Sequence, residues 1–300
     1  MTTQIECLPC LLHQAIDTTQ RIGMSPVEQS FLMQEVLHLL STMDMRVSAP
    51  LIAQRIHQVI RTHVGDDDPY RAIKAESNAL ALEWFPGLQT RIRAADDPLA
   101  LAVRAAIAGN IIDYGAKRQV DRQGIAATLA HALTMPLDGP TLAAFSRAVE
   151  EASSILYLAD NAGEIVFDRL LIECLPREKV TLVVRGAPII NDATRVDAVT
   201  AGLDALVTVM DNGADIPGTV VEQCTPAFQQ LFMTADVIVA KGQGNFETLA
   251  DSGRPMFHLF VAKCAIVAAA VGCPVDTPVF LYRNSINQLR KNAHHCCEHS

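Results

Sequence analysis

In the first half of the chain apolar residues recur at helical spacing; in the second half they gather in short runs. Phe31, Leu32, Val36, Leu39 and Leu40 fall on one helical face, and Leu99, Val103, Ile107 and Ile111 on another. Ser25 before Pro26 has the form of a cap followed by a first-turn proline, and Pro50, Pro69 and Pro98 mark later helix starts. Between residues 5 and 151 nothing has the pattern of a strand. Past Ser153 the pattern changes to β-rich runs at 155–158, 180–184, 207–209, 237–240 and 256–260. Helical stretches, 165–174 and 226–233 among them, separate most of these runs. Alternating strands and helices predict an α/β chain with a mostly parallel sheet, three layers and right-handed crossovers. The expectation is one compact body, a helical subdomain over 1–152 packed on an α/β subdomain over 153–300. The polar tail from about residue 284 is expected to be a terminal helix that frays.

Half of the 300 residues are hydrophobic, enough for a sizeable core. The net charge of −9 gives no electrostatic reason to expect a nucleic acid or an anionic membrane as partner. A small phosphorylated metabolite stays open as a partner, provided that a metal ion or a lysine supplies positive charge locally. The first ten residues carry Glu6 and no basic run ahead of an apolar core, unlike a signal peptide. The apolar stretch 264–271 is too short to span a bilayer. Eight cysteines without an export signal point to a reducing, cytoplasmic setting.

In open parallel sheets, ligands bind beyond the carboxyl ends of the strands. Every predicted strand here ends in groups that suit a metal or a phosphate. The first is followed by Asp160, Asn161 and Glu164, and the second by Arg185, Asn191 and Asp192. Asp211, Asn212 and Asp215 follow the third, residues 241–247 the fourth, and Lys263 the fifth. Asp160 and Asn161 offer adjacent oxygen ligands at a helix start, and Asp192 offers a third. Hard cations such as Mg²⁺ or Mn²⁺ take oxygen donors and share them with substrate phosphate and water. The plainer alternative is that Asp160 or Asn161 only caps the helix beginning near Gly163. Around Gly242, Gly244 and Asn245 the chain turns from strand into helix. Missing side chains there let backbone N–H groups approach an anion, although a plain tight turn reads the same way. The spacing is that of neither a P-loop nor a dinucleotide fingerprint. Lys263 suits a point cation against phosphate, or a surface lysine. Asn110 and Asp113 share a helical face, from which they reach substrate or order a metal-bound water, or else cap a helix end.

Taken together, Asp160-Asn161-Ala162-Gly163-Glu164, Pro188 with Asn191-Asp192, residues 241–247 and Lys263-Cys264 resemble the damage-control phosphatase family, long catalogued as domain of unknown function 89. Upstream, Cys7-Leu8-Pro9-Cys10 and the stretch from Gly109 and Asn110 to Asp113 fit as well, so the likeness runs from about residue 7 to 272. The paired cysteines resemble the stand-alone prokaryotic-type subgroup. The resemblance implies a helical N-terminal region against a Rossmann-like α/β/α sandwich. It also implies a divalent-metal-dependent phosphatase (Mn²⁺, Co²⁺, Ni²⁺ or Mg²⁺) acting on sugar phosphates or damaged phosphometabolites. In that family the metal is held by residues matching Asp160, Asn161 and Asp192. Substrate phosphate is held by those matching Gly242, Gly244, Asn245 and Lys263. The catalytic candidates read from this are Lys263, against charge developing in transfer, and Asp160, with the attacking group either a metal-bound water or a carboxylate. Larger relatives carry an arginine ahead of the lysine; here the stretch is Phe260, Val261, Ala262, Lys263.

Cys7 and Cys10 have the spacing of half a zinc site or of a redox pair, with buried structural thiols as the alternative. His294, His295, Cys296, Cys297 and His299 crowd a tail that reads as a mobile end. Two other functions fit parts of the pattern. One is an S-adenosylmethionine-dependent carboxyl methyltransferase, for which the first turn supplies only one glycine. The other is a non-catalytic protein that binds a phosphometabolite.

Overall fold

The structure, a computed structural model, describes residues 1–117, 127 and 129–284. Asn284 is the last of these, so the polar tail with its histidines and cysteines lies outside the described residues. Ahead of the first strand come α1 (Cys7–Arg21), α2 (Pro26–Thr42), α3 (Ala49–Val64), α4 (Arg71–Arg93), α5 (Pro98–Lys117) and α6 (Gly139–Glu151). Their starts follow the proline and cap signals. Ser25 and Glu28 close a reciprocal capping box at α2, and Pro26, Pro50 and Pro98 sit in first turns.

Five strands then alternate with helices: β1 (Ile155–Leu158), α7 (Glu164–Ile172), β2 (Val180–Val184), α8 (Arg195–Thr200), β3 (Thr208–Asp211), α9 (Pro226–Thr234), β4 (Val237–Lys241), α10 (Gly242–Leu249) and β5 (Met256–Ala262). Helix α11 (Ala265–Val271) and strand β6 (Thr277–Arg283) complete the described chain. Among the described residues the sheet has six strands in the order β3-β2-β1-β4-β5-β6. All neighbours are parallel except β5 and β6, which run antiparallel from Met256↔Arg283 to Ala262↔Thr277. Strand β6 is an addition to the sequence reading. It begins Thr277-Pro278, and a proline is tolerated there because only one side of an edge strand needs its N–H groups. The opposite edge, β3, has only four residues.

Strands β1 and β4 are buried at every position, which is why they read as unbroken apolar runs. Ile155 and Tyr157 face one core, with Phe85 of α4, Ile107 of α5, Phe145 of α6 and Phe167 of α7. Leu156 and Leu158 face the other, with Phe228 and Phe232 of α9. Helices α4 to α6 therefore share one apolar core with the sheet. Helices α1 to α3 build another around Leu32, Val36, Ile52 and Ile56. The change at residues 152–153 is a change of element type and not a gap in packing.

Candidate active site

Strand order reverses between β1 and β4, and the crevice beyond their carboxyl ends is where such sheets bind ligands. Asp160 and Asn161 leave β1 there, and Gly242 leaves β4. The loop after β2 folds back over the same end. Ala193 N–H donates to the Asp160 carbonyl at 2.7 Å, Ala162 N–H donates to Asn191 at 2.9 Å, and Asn161 bridges Asp192. Within this loop Ile190 takes a left-handed backbone (φ 46°), rare for a β-branched residue, and packs with Tyr70 and Ile189. Gly163 also has positive φ (77°); its N–H donates to Asn78 Oδ1 at 2.7 Å, so α4 pins the turn that carries Asp160 and Asn161.

Asp160 Oδ2 accepts from Asn161 Nδ2 at 2.6 Å and from Asn110 Nδ2 at 3.3 Å. Arg185, almost wholly buried, donates from Nε to Asp192 Oδ2 at 2.7 Å, and its other end lies 3.9 Å from Asp160 Oδ1. Burial, then repulsion from Glu164 and Asp192, pushes the Asp160 carboxyl well above the usual range; Arg185 and Lys263 oppose this. Lys263 thus exerts its charge on Asp160, and its backbone N–H donates to Gln243 Oε1 at 2.9 Å. A Cβ on Gly242 would fall inside the Asp160 carboxylate, so only glycine admits this approach of β4's end to β1's end.

The structure brings Asp160, Asn161, Asp192, Asn110, Gly242 and Lys263 to one place. Gly244 instead makes room for the Pro217 carbonyl. The Asn245 amide is fully buried and engaged inside, donating to Lys241 O and Ala159 O and accepting from Thr219 Oγ1. It braces the loop from within. Asp113 lies on α5, one turn past Asn110, and its side chain is outside what is described. Cys7 is half-buried, with burial raising its thiol, and Cys10 is exposed. Among the described residues no second half of a zinc site accompanies them.

Three charged residues of the site were visible in the strand-end motifs without a role attached. Besides Arg185 they are Glu164 and Lys241, both fully buried. Lys241 Nζ donates to Ala106 O at 2.8 Å, Glu164 Oε1 at 2.7 Å and Asp168 Oδ1 at 2.5 Å. Burial disfavours the ammonium, but Asp168 and Glu164 more than offset it and hold Lys241 protonated. Burial lifts Asp168 to about 6 against the pull of Lys241. The neighbouring open cavity of about 650 Å³ touches Arg185, Lys74, Asn78 and Asp197 but not Asp160.

The donor set suits a hard divalent cation. Among the described residues no three His, Cys, Asp or Glu side chains form a ready-made cage. The set consists instead of the Asp160 and Asp192 carboxylates with amides, the sparse protein share that Mg²⁺-like ions complete with water and phosphate. Carboxylates that repel one another, and a buried Asn110 Oδ1 with no partner among the described residues, both favour a cation nearby.

Residues 3–279 match the damage-control phosphatase ARMT1-like domain. The chain belongs to that family. It is similar to a damage-control phosphatase of Pyrococcus horikoshii (32% identical, covering 91% of this chain and 96% of that one). A damage-control phosphatase of Archaeoglobus fulgidus is 35% identical over 76% of this chain and 80% of its own. An uncharacterized protein of Methanocaldococcus jannaschii is 31% identical over 93% and 94%. The crystal structure of a DUF89 family protein from Pyrococcus horikoshii superposes with a TM-score of 0.84 at 30% identity, covering 94% of this chain and 99% of that one. As a member of the damage-control phosphatase family the protein is an enzyme, and its fold is the family's. No helix among the described residues is long and apolar enough to cross a membrane.

Proposed function

We propose that the protein is a divalent-metal-dependent phosphatase that hydrolyses phosphate esters of small metabolites, sugar phosphates or damaged phosphometabolites. The convergence of Asp160, Asn161 and Asp192 at the switch point, under the charges of Arg185 and Lys263, carries this reading. A bound Mn²⁺, Co²⁺, Ni²⁺ or Mg²⁺ supplies a Lewis acid that draws charge from the phosphoryl oxygens. The protein's own groups do the rest. Asp160, Asn161 and Asp192 would hold the cation, and Arg185 fixes the Asp192 carboxylate. Helix α10 begins with no side-chain cap, so the N–H groups at Gly242 and Gln243 are placed to receive phosphate oxygens. Lys263 adds a point charge where negative charge grows in transfer. Asp160, held in one orientation by two amides, is the carboxylate that faces the reacting phosphoryl group. The ester P–O bond breaks, the phosphoryl group passes to water, and the alcohol leaves with a proton.

Release of inorganic phosphate from a panel of sugar phosphates, with each of the four cations and with chelator, tests the proposal. Asp192→Ala is expected to lower kcat by about 10²–10³-fold while the protein stays folded. Phosphate release that persists in chelator would overturn the metal dependence. Methyl transfer without phosphate release, or binding without turnover, would overturn the phosphatase reading itself.

A further inference from the structure

Two asparagine amides meet at one carboxylate oxygen. Asn110 Nδ2 lies 2.6 Å from Glu164 Oε2, and Asn161 Nδ2 lies 3.1 Å from the same atom. An asparagine can present either end of its amide, and the partner decides which. Here the partner's polarity is set one step further back. The Lys241 ammonium has three N–H bonds and no acceptor, and all three are spent on Ala106 O, Glu164 Oε1 and Asp168 Oδ1. Glu164 therefore receives at Oε1 and faces both amides with an acceptor at Oε2. Both amides answer with their NH₂ ends, which also reach Asp160 Oδ2. Their carbonyl oxygens are turned away from Glu164, and that of Asn110 is buried with no hydrogen-bond partner among the described residues.

We propose that Lys241 and Glu164 are positioning residues, which orient the Asn161 and Asn110 amides so that their oxygens face the divalent cation and their NH₂ groups hold Asp160. This rests on the metal-dependent reading of the site. Neither residue touches the substrate. They act as a polarity relay running from the end of β4, through the first turn of α7, to the ligands after β1. Side chains that orient metal ligands in this way are typically worth 10- to 100-fold in metal affinity or activity.

The test is Glu164→Gln, which keeps shape and volume and leaves an oxygen for Lys241 but turns an NH₂ toward the two amides. Donor then faces donor, and the amides turn over. Mn²⁺ affinity of the substrate-free protein, measured by titration calorimetry, is expected to fall 10- to 100-fold, with the unfolding transition still cooperative. A second variant, Lys241→Met with Asp168→Asn, removes one charge of each sign and is expected to weaken Mn²⁺ to a similar degree. Should that variant fail to fold, Glu164→Gln decides alone. A folded Glu164→Gln protein that binds Mn²⁺ within twofold of the wild type would overturn the relay and leave the phosphatase reading standing. Wild-type protein that neither binds Mn²⁺ nor releases phosphate would overturn that reading first.

Discussion

At the scale of the residue, the tightest constraint is Gly242. Its φ is +79°, and a Cβ there would meet the Asp160 carboxylate itself. Gly242→Ala is expected to cost about 1–2 kcal/mol of backbone strain and to displace Asp160. Phosphate release should drop at least tenfold more than thermal stability alone explains; an alanine variant of normal activity would show that Asp160 has room to spare. His258 gives a pH dependence. It is fully buried, neither ring nitrogen has a hydrogen-bond partner among the described residues, and burial, with Arg283 adding to it, pushes it down to about 3. A histidine depressed in the folded state takes its proton only when unfolded. Its contribution is therefore intact above the ordinary pKa of about 6.5 and is lost progressively as pH falls toward about 3. At about pH 5 the loss is on the order of 2 kcal/mol, and His258→Phe is expected to remove that share, read as a shallower fall of urea-denaturation midpoint between pH 7 and pH 5. The ligand candidates Asp160, Asn161 and Asp192 were legible because the strand-end rule asks only which polar residues follow an apolar run. Arg185, Glu164 and Lys241 stood in the same motifs without a role. A charged residue beside a loop is ordinarily solvated, and only the fold shows that these three are sealed from water, Lys241 paired with Glu164 and Arg185 with Asp192.

Among elements, α4 links the helical half to the chemistry. Asn78 accepts from the Gly163 N–H and donates to Asp197 Oδ1 at 2.8 Å, tying the start of α7 to the start of α8. Asn78→Ala leaves a buried N–H and a buried carboxylate oxygen short of a partner, a loss of about 1–3 kcal/mol. Because those groups frame the Asp160 turn and the Asp192 loop, kcat should fall as well. A thermal shift without any change in kcat would confine α4 to a packing role. Strands β1, β2, β4 and β5 were legible to within two residues because both of their faces are buried. Strand β6 was not, since it lies at the sheet edge, begins with Thr277-Pro278, and follows Gly272 and Pro274, the residues by which a sequence marks a terminus.

On the scale of the whole molecule, helical and sheet-bearing halves are legible as patterns, but how they divide the core is not. Periodicity reports which side of a helix is apolar and says nothing of the surface it will meet. The core on one side of β1 takes Phe85, Leu88 and Ile92 from α4 and Ala102, Val103, Ala106 and Ile107 from α5. Expressed alone, residues 153–300 would expose that face. The fragment is expected to be insoluble or to lack cooperative unfolding, and a soluble fragment with a sharp calorimetric transition would show two independent domains.

The two edges of the sheet have a consequence for behaviour in crowded solution. An open edge is a template on which a second chain can stack, and long, flat, apolar edges seed fibrils. Here one rim is a four-residue strand, and the other carries a proline that interrupts any further ladder. Among the described residues both rims thus offer a second chain little to pair with, which discourages polymerising through the sheet.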